Sequence, residues 1–221
     1  RSRDRVEALA AAASSTGMPL CWRKQHPSSA CHCVDVGAGE EYSAVTGHFL
    51  QTLGGITGVE VLGLKRLEHP RLYSRYAEGL QSGCETVMFH GCRTQSNEDS
   101  IVSGGFKVSA CVSGGQNFGT WFAYNAAYSN SGYVLCRGRI RHMFVCVVSD
   151  TKDVRLDNST MRVVGQDCAY PMWLLEYQLP AVVHTPLPKM PPPPPVPRQK
   201  HERAASFHVV RDGAWVRVPA P

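Results

Sequence analysis

Three short stretches decide the fold: MFHGCR (residues 88–93), GTWFAYNAAYSNSGY (119–133) and AYPMWLLEY (169–177). Each contains a run of apolar or aromatic residues, and the first two also carry the glycine and polar residues that are typical of strand ends and turns. From residue 84 onward such runs follow one another with glycines between them. They do not alternate with long helical segments, so we predict an α+β domain and not a series of βαβ units.

The segments before and between these stretches predict further elements. EEYSAVTGHFLQTL (40–53) has its large apolar residues at helical spacing, which predicts a helix with one buried face. ITGVEVLGLKR (56–66) alternates apolar and polar residues as a half-buried strand does. A proline starts a second predicted helix over 70–80. GGFKVSACV (104–112) is predicted as one of the short strands.

In this order the three stretches resemble motifs of the poly(ADP-ribose) polymerase catalytic domain. Members of that family show F-H-G-T/S-R, then G-x-Y-F-A with a S-Y-S-type turn, and a last strand of the Y-P-E-Y-L-I type. The helix 40–53 and EVLGLKRLEHPRLYSRY (60–76) resemble the elements that open the domain. The resemblance spans about residues 18–179. It implies an ADP-ribosyltransferase fold, in which two antiparallel sheets with flanking helices form an NAD cleft.

The resemblance implies NAD as the substrate and assigns its contacts. His90 would bond the adenosine ribose hydroxyl, Gly91 and Ser129 would hold the nicotinamide carboxamide, and Tyr133 would stack on the nicotinamide ring. The residue types suit these roles, because a glycine presents its backbone N–H and C=O without a Cβ in the way. Tyr128 is an alternative stacking residue, and packing explains it equally well.

The family's catalytic triad of His, Tyr and Glu matches His90, Trp121 and Leu174. A leucine cannot polarise a ribose hydroxyl, and the loss of one preorganised polar partner commonly costs about a hundredfold in rate. Glu176 lies one step further along the strand and is a weak substitute. Tryptophan keeps an aromatic wall and an N–H donor but lacks the hydroxyl of tyrosine. We therefore expect at most mono-ADP-ribosylation, with a protein as acceptor, and no polymer.

Two other functions compete with this one. A catalytically inactive pseudoenzyme that serves as a structural subunit of a larger assembly fits the altered triad as well. A nucleic-acid-binding module using Arg137, Arg139 and Arg141 is less favoured, since alternating arginines are explained by one solvated face of a strand. The net charge of +5 is mild and not gathered into a basic run, so nucleic acid is not indicated.

The composition divides the chain into four parts. These are an N-terminal extension (1–17), the ADP-ribosyltransferase domain (18–179), a Pro-rich linker (180–205) and a C-terminal hairpin or tail (206–221). Asp212-Gly213 between β-branched and aromatic residues predicts a two-residue hairpin turn. A lone hairpin is marginal in water, so we expect the Pro-rich segment and the hairpin to contact protein partners.

Nine scattered cysteines, an odd number, favour reduced thiols and therefore an intracellular, reducing compartment: cytoplasm, nucleus or an organelle. No stretch approaches the roughly 20 apolar residues of a membrane span, so a soluble domain is expected. Cys21, His26, Cys31 and Cys33, with His32 between the last two, are close enough to surround a zinc ion. Their spacing is unusual for such sites, however, and we predict ordinary thiols and no metal.

Overall fold

A computed structural model describes residues 2–11, 17–19, 21–22, 31–80, 84–111 and 113–180, and the strand backbones 206–211 and 214–219. The chain divides into two compact units, residues 1–181 and 182–221. Apart from residue 180, the predicted Pro-rich linker lies outside the described residues.

Five α-helices belong to the described part of the first unit: α1 (Ser2–Ala11), α2 (Glu40–Thr52), α3 (Pro70–Ala77), α4 (Gln95–Gly104) and α5 (Ala126–Asn130). Side-chain caps fix where two of them begin. His69 Nδ1 accepts a hydrogen bond from the Leu72 amide at 3.4 Å before α3. Thr94 Oγ1 accepts one from the Asn97 amide at 3.2 Å before α4. Each cap satisfies one amide that the first helical turn leaves without a partner.

The first unit also contains antiparallel strands: β1 (His32–Asp35), β2 (Glu60–Glu68), β3 (Glu85–His90), β4 (Thr120–Ala123), β5 (Leu135–Arg137), β6 (Ile140–Ser149), β7 (Val154–Asp157), β8 (Met161–Val164) and β9 (Ala169–Gln178). Their order is β1-β2-β9-β6-β3-β4-β8-β7, and β5 pairs with β6. This α+β architecture with a large antiparallel sheet confirms the predicted fold class.

The two predicted sheets are joined at one place. β3 and β4 share the single register pair Phe89 and Ala123. The described register of β3 and β4 does not extend beyond that pair. The ring of His90 on β3 instead hydrogen-bonds the carbonyl oxygen of Trp121 on β4. The sheet therefore splits into two halves, β1-β2-β9-β6-β3 and β4-β8-β7, at the position where the cleft was expected.

Helices α2 and α3 confirm the two predicted helices, but one predicted strand is wrong. Residues 104–112 contain the end of α4 and, within their described part, a short 3-10 turn at Val108–Ala110. Gly105, at a φ of 74°, ends the helix. The Gln166 side chain then accepts from the Val108 amide at 3.2 Å and donates to the Phe106 carbonyl at 3.1 Å. A side-chain amide thus takes the place of a neighbouring strand.

The N-terminal segment is not wholly an extension, which corrects the predicted boundary at residue 18. Helix α1 places Val6 and Ala10 in the apolar core. The carboxylate of Glu7 accepts a hydrogen bond from the Val87 amide of β3 at 3.3 Å. The residue pattern alone does not predict this packing, because alanine-rich helices show weak contrast between their faces.

The predicted C-terminal hairpin forms in the second unit. Strands β10 (Ser206–Arg211) and β11 (Ala214–Pro219) pair antiparallel with Arg211 opposite Ala214. Two residues separate the strands, as the Asp-Gly signal predicts.

Two apolar clusters pack on opposite faces of the first half of the sheet. One contains Phe49 of α2 and Trp173 of β9, and the other contains Phe144 of β6 and Leu174 of β9. Neighbouring residues of a strand point to opposite faces, so Trp173 and Leu174 serve different clusters. Among the described residues, no helix is long and apolar enough to cross a bilayer.

The buried His48 of α2 gives the fold a dependence on pH. Its side chain stacks on Phe89 with ring centroids 5.3 Å apart, and no described residue hydrogen-bonds its Nε2. Burial, with a smaller contribution from the charge of Arg3, lowers its pKa from 6.5 to about 4. The unfolded chain therefore binds the proton first as the pH falls. The resulting loss of stability starts near pH 6.5 and is complete near pH 4.

We expect this histidine to account for on the order of 2–3 kcal/mol of unfolding free energy between pH 7.5 and 4. Urea unfolding curves of the wild type and of His48→Leu across this range measure it. The variant should lose distinctly less stability than the wild type. Parallel curves for the two proteins would contradict the expectation.

Candidate active site

A cavity of about 490 Å³ lies where the two halves of the sheet separate. Its walls come from the ends of β3 and β4, from α4 and α5, from the start of β8 and from the loop after α4. The volume is typical of sites that enclose a small molecule or cofactor. Six of the seven predicted site residues meet there: His90, Gly91, Trp121, Tyr128, Ser129 and Tyr133.

The seventh, Leu174, is not among the described residues that line this cavity, which corrects its assignment. The glutamate of Y-P-E-Y-L-I falls instead on Met172 of AYPMWLLEY, which is also buried in the core. Leu174 lies directly opposite Phe144 of β6, and Phe144 lies directly opposite His90 of β3. Paired residues share a face of the sheet, so Leu174 has the expected orientation. It is two strands away, however, about 10 Å at the usual strand spacing, and Phe144 lies between. With 5% of its surface exposed, Leu174 is a core residue.

Met161 is a cavity-lining residue that sequence reasoning did not single out. It is the first residue of β8, lies opposite Ala123 of β4 and lines the cavity. Asn158 Oδ1 positions it by accepting from the amides of Thr160 and Met161 at 2.8 and 3.0 Å. Such an Asx turn followed by a β-branched run is the signal that could have pointed to this strand end. Nothing in the residue type indicated a site.

His90 is oriented by its own backbone neighbourhood. Its Nδ1 lies 2.8 Å from the carbonyl oxygen of Trp121. Since a carbonyl can only accept, Nδ1 carries the proton, and Nε2 of the neutral ring is the acceptor. Burial lowers the pKa of His90, and the hydrogen bond to Trp121 opposes this. The rings of Phe106 and Phe122 pack against the His90 ring, with centroid distances of 5.0 and 5.4 Å. The cavity therefore contains a neutral histidine whose Nε2 can accept a hydrogen bond from a hydroxyl group.

The indole N–H of Trp121 hydrogen-bonds the loop that precedes β4. Its indole N–H donates to the carbonyl oxygen of Ser113 at 3.1 Å, and its ring lies 6.0 Å from that of Phe118. From the other side, Arg155 donates to the carbonyls of Asn117 and Phe118 at 2.7 and 2.9 Å. The indole donor that the sequence suggested for a ligand is therefore already used.

Gly91 and Ser129 lie against backbone at the base of the cavity. A Cβ on Gly91 would lie 2.7 Å from the carbonyl carbon and oxygen of Tyr133, closer than packed atoms approach. Ser129 is buried, and its hydroxyl is 3.4 Å from the carbonyl oxygen of Phe89. A long bond of this kind is weak, which leaves the hydroxyl available to a better partner.

We expect Gly91→Ala to destabilise the domain by about 1–3 kcal/mol, because the obstruction is backbone that cannot rotate away. Gly47→Ala is the matched control. Gly47 lies inside α2, and a Cβ there meets nothing within 4 Å. The control should be more stable than the wild type by about 0.5–1 kcal/mol. Thermal unfolding of both variants tests the pair, and equal effects would refute the close approach at Gly91.

Tyr128 and Tyr133 place two stacked aromatic rings at the cavity. The rings of Tyr128 and Tyr133 stack with centroids 5.7 Å apart at an angle of 10°, and each residue is about 40% exposed. The guanidinium of Arg93 lies 4.8 Å from the Tyr133 centroid, and its Nε donates to the Gly132 carbonyl at 3.0 Å. A ligand ring that stacks on Tyr133 must therefore share or replace one of these partners.

The charges around the cavity are positive. Arg93 and Lys107 line it, and the described lining residues include no aspartate or glutamate. Glu176, the weak substitute considered from sequence, is held 2.7 Å from Lys65 on β2. The hydrogen bond from Lys65 lowers the pKa of Glu176. That carboxylate is committed to an ion pair elsewhere on the sheet.

The described residues contain no group of three or more His, Cys, Asp or Glu side chains that could hold a metal ion. His26, the histidine of the zinc candidate considered above, lies outside them.

The family model of the poly(ADP-ribose) polymerase catalytic domain matches residues 39–169. This match covers more than half of the chain, and the chain belongs to that family. The domain is therefore an ADP-ribosyltransferase-like domain. No curated protein matches the chain in a sequence search. All the cavity residues named above, from His90 to Met161, fall inside the matched span, whereas Leu174 lies beyond its end.

Proposed function

We propose that this domain binds NAD in the cavity and transfers at most one ADP-ribose unit to a protein acceptor, without forming polymer. The observation that carries the proposal is the lining, in which Met161 forms one wall and no described carboxylate is present. Polymer growth needs a group that activates the incoming ribose hydroxyl, help that is typically worth about 10²–10⁴ in rate. A methionine thioether supplies no such group.

The proposed contacts follow the geometry of the site. Nε2 of His90 accepts a ribose hydroxyl, the backbone of Gly91 and the hydroxyl of Ser129 bind the carboxamide, and the nicotinamide ring stacks at Tyr133. Lys107 and Arg93 provide the positive charge that a pyrophosphate requires. As nicotinamide leaves, the sugar becomes cationic. An acceptor carboxylate then supplies the negative charge that the cavity walls lack.

The experiment combines binding and product analysis. Calorimetry of the full chain with NAD should give a dissociation constant of millimolar or better, about −4 kcal/mol or more favourable. Labelled NAD should produce single ADP-ribose additions at most, seen by mass spectrometry of acceptor peptides. Chains longer than one unit would overturn the proposal. His90→Ala should abolish both signals, and Arg3→Ala on the exposed face of α1 serves as the control.

A pseudoenzyme that acts as a structural subunit is the second candidate. The contacts of Trp121 favour it, since its indole N–H binds Ser113 and not an open position in the cavity. On this proposal the hairpin β10–β11 recruits a protein partner by strand addition, because each described strand pairs only with the other. Absence of NAD binding at millimolar concentration would favour this candidate over the first.

A further inference from the structure

The loop that precedes β4, residues 113–119, forms the part of the cavity wall beside Trp121. Ser113 and Gly114 of this loop line the cavity together with Trp121. The loop also packs directly on the indole. A Cβ on Gly114 would lie 3.0 Å from Cζ2 of Trp121 and 2.7 Å from Cδ1 of Phe118. Packing this close leaves no space for a ligand group between the loop and the indole.

Arg155 on β7 holds the other end of this loop from outside the cavity. Its Nη1 donates to the carbonyl oxygens of Asn117 and Phe118 at 2.7 and 2.9 Å. Asn117 has a φ of 61°, which residues other than glycine adopt uncommonly. Because both hydrogen bonds come from a charged donor, they are stronger than neutral ones and stabilise this turn.

Asp153 orients the guanidinium of Arg155 for these bonds. Its two carboxylate oxygens accept from Nε and Nη2 of Arg155 at 3.1 and 2.8 Å, in bidentate geometry. The carboxylate itself lies over Gly165, where a Cβ would overlap it. Nη1 is therefore directed at the loop. A lysine in this position could not reproduce the arrangement, because an ammonium lacks the planar fork.

The contacts that keep the loop in place lie at the surface. The side chains of Arg155 and Asp153 are 31% and 50% exposed, and the hydrogen bond from Trp121 to Ser113 is also exposed. Segments held mainly by exposed hydrogen bonds open at a low cost in free energy. A ligand that needs the space can therefore displace the loop.

The contacts proposed for NAD place its two halves differently relative to this loop. Nicotinamide binds at Gly91 and Ser129, whereas the adenosine ribose binds at His90. The His90 ring lies 2.8 Å from the carbonyl oxygen of Trp121. The adenine beyond that ribose therefore meets the loop beside Trp121, and nicotinamide alone does not.

We propose that Arg155 determines the size of ligand that the cavity admits. Nicotinamide enters while Arg155 holds the loop on Trp121, but the adenosine half of NAD fits only after the loop has moved. Arg155 is thus a specificity-determining residue that acts through the loop and touches no ligand. This inference rests on the NAD-binding function proposed above.

Arg155→Ala should bind NAD about tenfold more tightly than the wild type in calorimetry, as follows if the open loop is populated to about 10% in the wild type. Nicotinamide has equal affinity for both loop states, so its dissociation constant should change by less than about twofold. Loss of a positive charge alone would weaken binding of the anionic dinucleotide, so the expected gain has the opposite sign from an electrostatic effect. Arg155→Lys should behave as Arg155→Ala does.

Arg139→Ala is the matched control, since it removes the same charge from the exposed turn between β5 and β6. It should change neither affinity. Without ligand, the amides of residues 113–119 should exchange hydrogen about fivefold faster in Arg155→Ala than in the wild type, and those of β3 at the wild-type rate. Unchanged exchange, or NAD binding by Arg155→Ala no tighter than by the wild type, would overturn this proposal and leave NAD binding intact. If neither protein bound NAD, both proposals would fall.

Discussion

Leu174→Glu is expected to destabilise the first unit by at least about 4 kcal/mol and to restore no catalysis. The variant places a carboxylate in an apolar cluster, between Phe144 of β6 and Lys65 of β2, and Lys65 is already paired with Glu176. Loss of the buried leucine and desolvation of the carboxylate both contribute. Met161→Glu, at the half-buried cavity wall, should cost about 1 kcal/mol or less. Urea unfolding separates the two variants.

The same pair of positions decides which strand completes the catalytic site. Combining Met161→Glu with Trp121→Tyr supplies a carboxylate at the cavity wall and a tyrosine hydroxyl beside it. We expect this double variant to accelerate transfer from NAD by about a hundredfold, as measured with labelled NAD. The combination of Leu174→Glu with Trp121→Tyr should give no gain. If only the Leu174 combination gained activity, the assignment of Met161 would be wrong.

Arg66→Ala is the second change with a large expected effect. Arg66 is 2% exposed and pairs with Glu41 at 2.5 Å and Glu68 at 2.7 Å. The other carboxylate oxygen of Glu41 accepts from the Trp173 indole at 2.8 Å. Removal of the guanidinium leaves two carboxylates with uncompensated charge inside the fold, which typically costs about 3–5 kcal/mol.

Arg3→Ala is the control for this prediction. Arg3 pairs with Glu7 one helical turn away, at 2.7 Å, and also donates a longer hydrogen bond to the Thr86 hydroxyl at 3.3 Å. Exposed pairs of this kind contribute about 0.3–0.5 kcal/mol. Denaturant midpoints of the two variants provide the comparison. If Arg66→Ala cost no more than Arg3→Ala, the buried network would not hold α2 against the sheet.

Elements whose position follows from local residue spacing could be predicted from the sequence. Helix α2 follows directly from its apolar spacing, and α3 follows from its first proline. His90, Gly91, Ser129 and Tyr133 were assigned from the resemblance of their motifs to the family, and the structure places all four around one cavity. These residues come together once β3 and β4 are neighbours.

Features that depend on distant contacts could not be predicted in this way. The two-residue period of β9 correctly gives the face on which Leu174 lies. It does not give the number of strands between β9 and β3, and here β6 lies between them. Likewise, the segment around Val108 has a strand-like composition, but the distant side chain of Gln166 takes its backbone groups. Strand order and such side-chain substitutions are tertiary properties.

Because β3 and β4 share the single register pair Phe89 and Ala123, the two halves of the sheet are joined by fewer backbone contacts than the strands within the first half. Separation of β6 from β9 would break a ladder of nine register pairs, from Ile140 to Val148. Separation of β3 from β4 involves only one. The sheet is therefore easiest to deform between β3 and β4, at the cavity. The wall that carries Met161 is therefore the part of the cavity that can best adjust to ligands of different bulk, while the hydrogen bond between His90 and Trp121 joins the two halves at one further point.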